Sequence, residues 1–435
     1  MHHARYIRRK VDLFLDHRRS PHTPARAAPR HRLRRATLEP ARCPNPQQVF
    51  SPSAILGIMT LPRKDIDPNG LVEYSVVFSD RSLNHMSAKF ISAMQEFLEI
   101  LRSTYNADSA AIVPGGGSYG MESVARQFAN NKKTLVIRNG FFSYRWTQII
   151  ETGKITDQHK VLKAQQVGTE PGAPSFAPID IQDATAAISE YKPDVVFTPH
   201  VETASGILIS DDYIKALATA THEAGGIFVL DCVASGTLWV DMKDLGVDVL
   251  ISAPQKGWSG SPAAGYVMFS ERAREVMADT ETSSFSLDLK KWATIADGYA
   301  DGSAGYHATM PTDTLLHNLE VMKEAQEVGL ETLRDKQWEL GKKVRELFAS
   351  RGFTSVAAEG VEAPSVVVVN SKDANTNYVA QFKEAGLQIA GGVPLQVDEP
   401  EGFASFRIGL FGLDKWADVD ASVQRLADAL DKIEG

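Results

Sequence analysis

The sequence predicts an α/β protein: a seven-stranded, mostly parallel sheet in a large domain, followed by a smaller α+β C-terminal domain. Three observations predict it. Short apolar runs alternate with stretches of helical spacing from about residue 105 to residue 269. A long helical segment and a second, sparser set of runs follow. The 435 residues are 43% hydrophobic and 23% charged, and no apolar run reaches the roughly 18 residues of a membrane-spanning helix.

Ala110–Pro114 is the first strand. The stretch after it places Met121, Val124 and Phe128 at helical spacing. Thr134–Ile137 is the second strand, with a helix across Tyr144–Glu151. His159–Leu162, Val195–Thr198, Ile227–Leu230, Asp248–Ser252 and Tyr266–Phe269 complete seven. Between them lie helices over Ile181–Glu190 and Asp211–Ala224. The second opens on Asp211 and Asp212, where acids suit the positive end of the helix dipole. Such alternation gives a parallel sheet covered on both faces. Ligands on these sheets sit beyond the carboxyl ends of the strands. Pro311–Ser350 reads as one long helical segment stopped at Arg351–Gly352. Ser365–Val369, Gln388–Ile389 and Phe406–Gly409 are the strands of the smaller unit, with helices over Asn377–Gly386 and Asp420–Ile433. The division expected is therefore 59–310 and 311–435.

Charge separates a head from a body. Residues 1–58 carry 12 Lys/Arg against 3 Asp/Glu, a net of +9, whereas the remainder carries 34 against 51, a net of −17. An acidic body argues against a nucleic-acid partner. Prolines at 21, 24, 29, 40, 44, 46 and 52 interrupt the head, and it lacks the apolar centre of a signal peptide. A polyanion-binding tail, a transit peptide and an upstream extension preceding a start at Met59 all fit it. The third reading is adopted, with a cytoplasmic location and no membrane partner, and 1–58 are left out of the fold. Two cysteines, Cys43 and Cys232, build neither a disulfide framework nor a cysteine zinc site. His200, His222, His307 and His317 have no metal-ligand spacing.

The chemistry is carried by loops after strands. Lys256, in Ile251–Gly260, follows a buried strand among small residues. Most lysines are surface charges, and Lys256 alone would not exceed that expectation. Asp231 ends the apolar run Gly226–Asp231, where an acid is costly without a cationic partner; alone it is equally a cap or a buried ion pair. Together they suggest pyridoxal phosphate, which needs a lysine for its Schiff base and an acid against its ring nitrogen. Pro114–Glu122, rich in glycine, supplies an anion cradle at a helix start. That turn fits nucleotide phosphates equally well, although no Gly-Lys-Ser/Thr follows it.

The order of this turn, then His200–Gly206, Asp231–Ser235 and Gln255–Lys256 resembles class V aminotransferases, pyridoxal-phosphate enzymes of fold type I. The alanine–glyoxylate and serine–glyoxylate (serine–pyruvate) subgroup is the most similar, from about Asp80 to the C-terminus. The resemblance implies roles position by position. Lys256 matches the Schiff-base lysine and proton carrier. Asp231 matches the ring-nitrogen partner and Val233 the residue packed under the ring. Gly117, Ser118 and Tyr119 match the phosphate turn, with Gln255 a second phosphate contact. Thr203 matches a hydroxyl on the phenolic oxygen. Phe142 falls where the family stacks an aromatic on the pyridine; core packing, or Phe141 in its place, are the alternatives. Tyr306 and Thr309 match a segment reaching the partner subunit's phosphate, implying a homodimer with shared sites. Arg407 matches the grip on the substrate carboxylate.

Two departures accompany the match. Pro254 stands where a small hydroxyl or glycine-like residue is usual, removing a phosphate contact. The Gly-Pro-Gly-Pro type segment is replaced by Val72–Asp80, which makes Tyr74 and His85 pocket candidates by position. The expected function is transfer of an amino group from a small amino acid (alanine- or serine-like) to a small 2-oxo acid, glyoxylate or pyruvate. A lyase or desulfurase of the same fold is the alternative; a desulfurase needs a mobile cysteine, and Cys232 beside Asp231 does not suit it. A cofactor-binding regulator is the alternative from another class, but the proline-broken head lacks a helix-turn-helix pattern.

Overall fold

The computed structural model describes residues 65–434 except 169 and 171. The basic head and Met59 lie outside the described residues. Residues 65–87 carry no helix or strand. The principal helices are α1 (Ala88–Tyr105), α2 (Gly117–Phe128), α3 (Phe141–Gly153), α4 (Ile181–Tyr191), α5 (Asp211–Glu223), α6 (Glu271–Ala278), α7 (Leu289–Ala300), α8 (Thr312–Val328), α9 (Leu330–Ser350), α10 (Tyr378–Glu384) and α11 (Val419–Glu434). The strands of the large sheet are β1 (Ser109–Pro114), β2 (Thr134–Arg138), β3 (His159–Lys163), β4 (Val195–Pro199), β5 (Ile227–Asp231), β6 (Val249–Ser252) and β7 (Ala264–Phe269).

This sheet has the order β1-β7-β6-β5-β4-β2-β3. β7 pairs antiparallel with both β1 and β6, and the remaining pairs are parallel. Six strands therefore point the same way. Their runs are continuous in apolar residues because both faces are covered; β2, β4, β5, β6 and β7 are buried at every position. The common direction carries the carboxyl ends of β1, β2, β4, β5 and β6 to one edge, so the loops beginning at Gly115, Asn139, His200, Cys232 and Ala253 converge there.

A three-stranded antiparallel sheet lies further along the chain: β8 (Val366–Asn370), β9 (Ala390–Gly391) and β10 (Ser405–Gly409), in the order β8-β10-β9. Phe348, Phe353, Phe382, Phe406 and Trp416 form its own buried cluster with α9, α10 and α11.

Three expectations change. α1 was not anticipated, although Phe90, Met94, Phe97, Leu101 and Tyr105 form a buried helical stripe behind a Ser87 cap. The long segment 311–350 is two helices broken at Gly329, whose φ of 95° only glycine adopts readily. The strand expected at Gln388–Ile389 is the two-residue β9, displaced to Ala390–Gly391.

Candidate active site

Lys256 is reached four residues beyond β6. The loop is held rigidly there. Gly257 packs on Gly236 so closely that a Cβ would collide with the Gly236 carbonyl oxygen. The Ser259 hydroxyl accepts from the Leu413 N–H at 2.8 Å, and the Gly260 N–H donates to the Pro254 carbonyl at 2.8 Å. Lys256 is half-buried, with Nζ 4.9 Å from the centroid of Phe411. Burial, then the positive charges of Arg407 and Arg145, hold its pKa below the usual lysine value. Gln255 beside it is exposed.

Asp231 closes β5 and is 8% exposed. Its Oδ1 accepts from the Val233 N–H at 3.0 Å. Burial pushes its pKa up to about 6, with Glu202 adding to the rise and the Val233 hydrogen bond and Arg145 opposing it. The main-chain N–H of His200 donates to the Asp231 carbonyl at 2.9 Å. The His200 ring is paired with the Ser235 hydroxyl at 2.8 Å, and burial lowers its pKa to about 4, which leaves it neutral at pH 7. His200 thus fastens the strand-end loops to each other.

The glycine-rich turn opens α2 without a side-chain cap, so the first N–H groups of the helix meet no capping side chain. A Cβ at Gly117 would lie 2.9 Å from a Val233 methyl carbon, and this crowding is why glycine stands there. Ser118 and Tyr119 are exposed beside it. The Ser118 hydroxyl accepts from Arg145 Nη1 at 2.8 Å. Phe142, one turn before Arg145 on α3, has the Arg145 guanidinium 5.1 Å and the Arg407 guanidinium 5.3 Å from its ring centroid. Arg407 is steadied on β10 by a 2.9 Å bond from Nε to the Gly391 carbonyl. Phe141 meets Phe142 edge-on at 5.8 Å, and both pack against an apolar cluster with Val201 and Ala204 among its members.

Glu202 was not singled out from the sequence. Its fully buried carboxylate accepts from the N–H groups of Phe142 (3.1 Å), Ser143 (2.8 Å) and Ala204 (2.9 Å) and from the Ser143 hydroxyl (2.6 Å). It caps α3 from 60 residues away and ties Phe142 to the turn carrying half-buried Thr203. A Cβ at Gly140 would lie 2.7 Å from Glu202 Cγ, so the approach requires a glycine. The available signal was an acid inside an otherwise small and apolar stretch. Arg145 and Phe411 were also missed, since neither position is distinctive before the chain is folded.

The structure therefore brings Lys256, Asp231, Gly117, Ser118, Val233, Phe142 and Arg407 into one connected group. Tyr74 makes none of these contacts and is 91% exposed. Tyr306 is 56% exposed, its hydroxyl 3.3 Å from that of exposed Thr309, and its ring packs on buried His85 at 5.5 Å. His85 lines this neighbouring cluster with Phe78 instead of the Lys256 side.

Among the described residues, Lys256, Arg145 and Arg407 form no ion pair with a carboxylate, yet they stand close enough for the two guanidiniums to depress the lysine. Three cations so placed can take up further anions. A phosphate would suit the α2 turn, a carboxylate would suit Arg407, and a flat ring with a protonated nitrogen would suit Phe142, Val233 and Asp231. The residues fit pyridoxal phosphate.

Comparison with known proteins agrees. The sequence profile of the family described as "Aminotransferase class-V" matches residues 72–394. Alanine–glyoxylate aminotransferase 1 of Saccharomyces cerevisiae is 27% identical over 362 residues, covering 76% of this chain and 86% of that protein. A 2-aminoethylphosphonate–pyruvate transaminase of Salmonella schwarzengrund is 25% identical over 351 residues, covering 78% and 88%. The fold matches the crystal structure of an alanine–glyoxylate aminotransferase from Nostoc sp. with a TM-score of 0.68 at 20% identity, over 81% of this chain and 89% of that one. It also matches, less well, a cysteine desulfurase from Thermococcus onnurineus, TM-score 0.57 at 16% identity, over 79% and 83%. This chain accordingly belongs to the class V aminotransferases and is a pyridoxal-phosphate-dependent transaminase.

Proposed function

We propose that the enzyme transfers the amino group of a small amino acid, alanine- or serine-like, to glyoxylate or pyruvate. The observation that carries this reading is the Arg407 guanidinium near Lys256, with Phe142 against the arginine and Phe411 against the lysine. One carboxylate is gripped, and the aromatic rings favour a short side chain. The names of the yeast and Salmonella relatives point to the same acceptors.

Bound pyridoxal phosphate supplies a carbonyl carbon for the amine and a ring that disperses the electron pair left when a C–H bond breaks. The residues do the rest. Lys256 Nζ would attach the cofactor and, once freed, would take the α-proton of the amino acid as general base and give it up again as general acid. Its lowered pKa keeps more of the amine unprotonated near neutrality. Asp231 holds the proton on the ring nitrogen. Arg407 fixes the carboxylate and orients the α-carbon toward the lysine. Phe142 and Val233 would hold the ring, Thr203 would meet its phenolic oxygen, and Gly117, Ser118, Tyr119 and Gln255 would meet the phosphate. We also assign Tyr306 and Thr309 to the partner's phosphate in a homodimer, with Tyr74 entering the substrate pocket in that assembly. The exposed apolar side chains of Leu71, Val72, Tyr74, Val76 and Phe285 support this assembly. Residues 59–310 and 311–435 are proposed as the large and small domains that bring Lys256 and Arg407 to one cleft.

The lyase or desulfurase reading is weaker on a specific ground. Cys232 is 3% exposed, and burial raises its thiol pKa, whereas a desulfurase nucleophile needs an accessible thiolate. The test is acceptor dependence. Alanine or serine should bleach the cofactor's visible band once, and sustained turnover should require glyoxylate or pyruvate. Continuous ammonia release without an oxo acid would overturn transamination.

A further inference from the structure

We infer that Arg145 is a positioning residue for the cofactor's phosphate: its guanidinium braces the Ser118 side of the glycine-rich turn against the Phe142 ring and places a fixed positive charge beside a cradle otherwise made of neutral groups. The inference rests on the reading of Gly117–Tyr119 as the phosphate turn and assigns that turn a residue from a different element.

Three observations carry it. Arg145 Nη1 donates to the Ser118 hydroxyl at 2.8 Å across 27 residues of sequence. The same guanidinium lies 5.1 Å from the Phe142 centroid, on the i+3 position of the same helix. Among the described residues it has no carboxylate ion pair, although this chain offers 51 acids outside its head. Other arginines here pair with acids, as Arg126 does with Glu122 and Arg351 with Asp431 and Glu434. Arg145 instead finds a hydroxyl and a ring, both belonging to the site.

The chemistry follows. The turn offers N–H groups, a serine and a tyrosine, none of them charged, whereas a phosphate dianion favours a planar donor fork. Hydrogen bonding orients the Ser118 hydroxyl, and stacking stops the guanidinium from swinging into solvent. Arg145 and Arg407 divide the work at the Phe142 ring, one toward the phosphate turn and one toward the substrate carboxylate. The charge of Arg145 also lowers the pKa of both Lys256 and Asp231.

The test uses Arg145→Met and Arg145→Lys in the full chain. Cofactor affinity is measured by fluorescence titration of the apoenzyme, and inorganic phosphate affinity by its protection of the apoenzyme against cofactor binding. Arg145→Met should weaken both by about tenfold at low salt, the deficit shrinking as salt rises. It should also move the pH midpoint of the cofactor's visible band upward, because a neighbouring positive charge has been removed. Arg145→Lys should recover phosphate affinity to within about threefold while cofactor affinity stays lowered, since charge returns without the stacked fork. Cofactor and phosphate affinities within twofold of wild type in Arg145→Met, with an unmoved midpoint and an intact circular dichroism spectrum, would overturn the inference. If Arg145→Met fails to fold, Arg145→Lys with Ser118→Ala decides it. Non-additive losses of cofactor affinity support the brace and additive losses refute it. Failure of the wild-type chain to compete phosphate against cofactor would instead refute the reading of the turn.

Discussion

The two sides of the site are made differently. On the cofactor side, five parallel strand ends deliver Gly117, Phe142, the His200–Gly206 loop, Asp231 and Lys256 to one edge, and glycines at 117, 140 and 257 allow the approach. The backbone is buried, and each functional group is braced by another element. On the opposite side Tyr74, Tyr306 and Thr309 stand exposed, near apolar residues that water surrounds. The lesson is that the groups proposed to hold the cofactor are braced by one another within one chain, whereas the exposed face would be completed by a second copy in the proposed dimer.

Substitutions on the braced side should dominate. Lys256→Ala should abolish the visible cofactor band and cut turnover by at least about a thousandfold. Retention of both would break the comparison at its strongest point. Asp231→Asn should cut turnover by about a hundredfold and yet stabilise the apoenzyme. A folded pKa of about 6 against an ordinary 3.8 means that the folded state holds the extra proton. Stability is therefore lost as pH rises from roughly 4 to 6 and stays lower above that. The penalty at pH 7.5 is on the order of 3 kcal/mol, and Asn should relieve much of it in a denaturant titration. The gain should vanish below about pH 4. His200, with its pKa lowered to about 4, acts oppositely, destabilising the fold as pH falls from 6.5, so comparison of variants isolates Asp231 better than the wild-type curve alone.

Glu202→Gln tests the bracing itself. An amide would point hydrogens at the Phe142, Ser143 or Ala204 N–H groups, and a loss of about 2–3 kcal/mol is expected in chemical denaturation. Gly117→Ala is smaller. Val233 must move by a few tenths of an ångström, and cofactor affinity should fall about tenfold while the fold persists. Tyr306→Phe should be smallest, about fivefold in cofactor affinity from one lost hydroxyl. The exposed side predicts that this deficit appears in the dimer and disappears when sedimentation shows monomer.

Legibility in the sequence followed the same division. Most of the seven strands were readable because they are short apolar runs between turns, and Lys256 with Asp231 stood out as charges where burial makes charge costly. α1 was overlooked because its stripe begins before the alternation does, and the break at Gly329 is a conformational demand hidden inside a continuous helical pattern. Glu202, Arg145 and Phe411 act through partners 60, 27 and 155 residues away, separations that no local period reveals. The substrate side was least readable, because Tyr74 was proposed by position alone and stands exposed, outside the connected group around Lys256.

The most direct test of the account is to locate the cofactor chemically. Purified enzyme is reduced with borohydride, digested, and the modified peptide is sequenced by mass spectrometry. A single pyridoxyl group on the Nζ of Lys256 is expected. Attachment to any other lysine, or a fully active enzyme with no attachment at all, would contradict it.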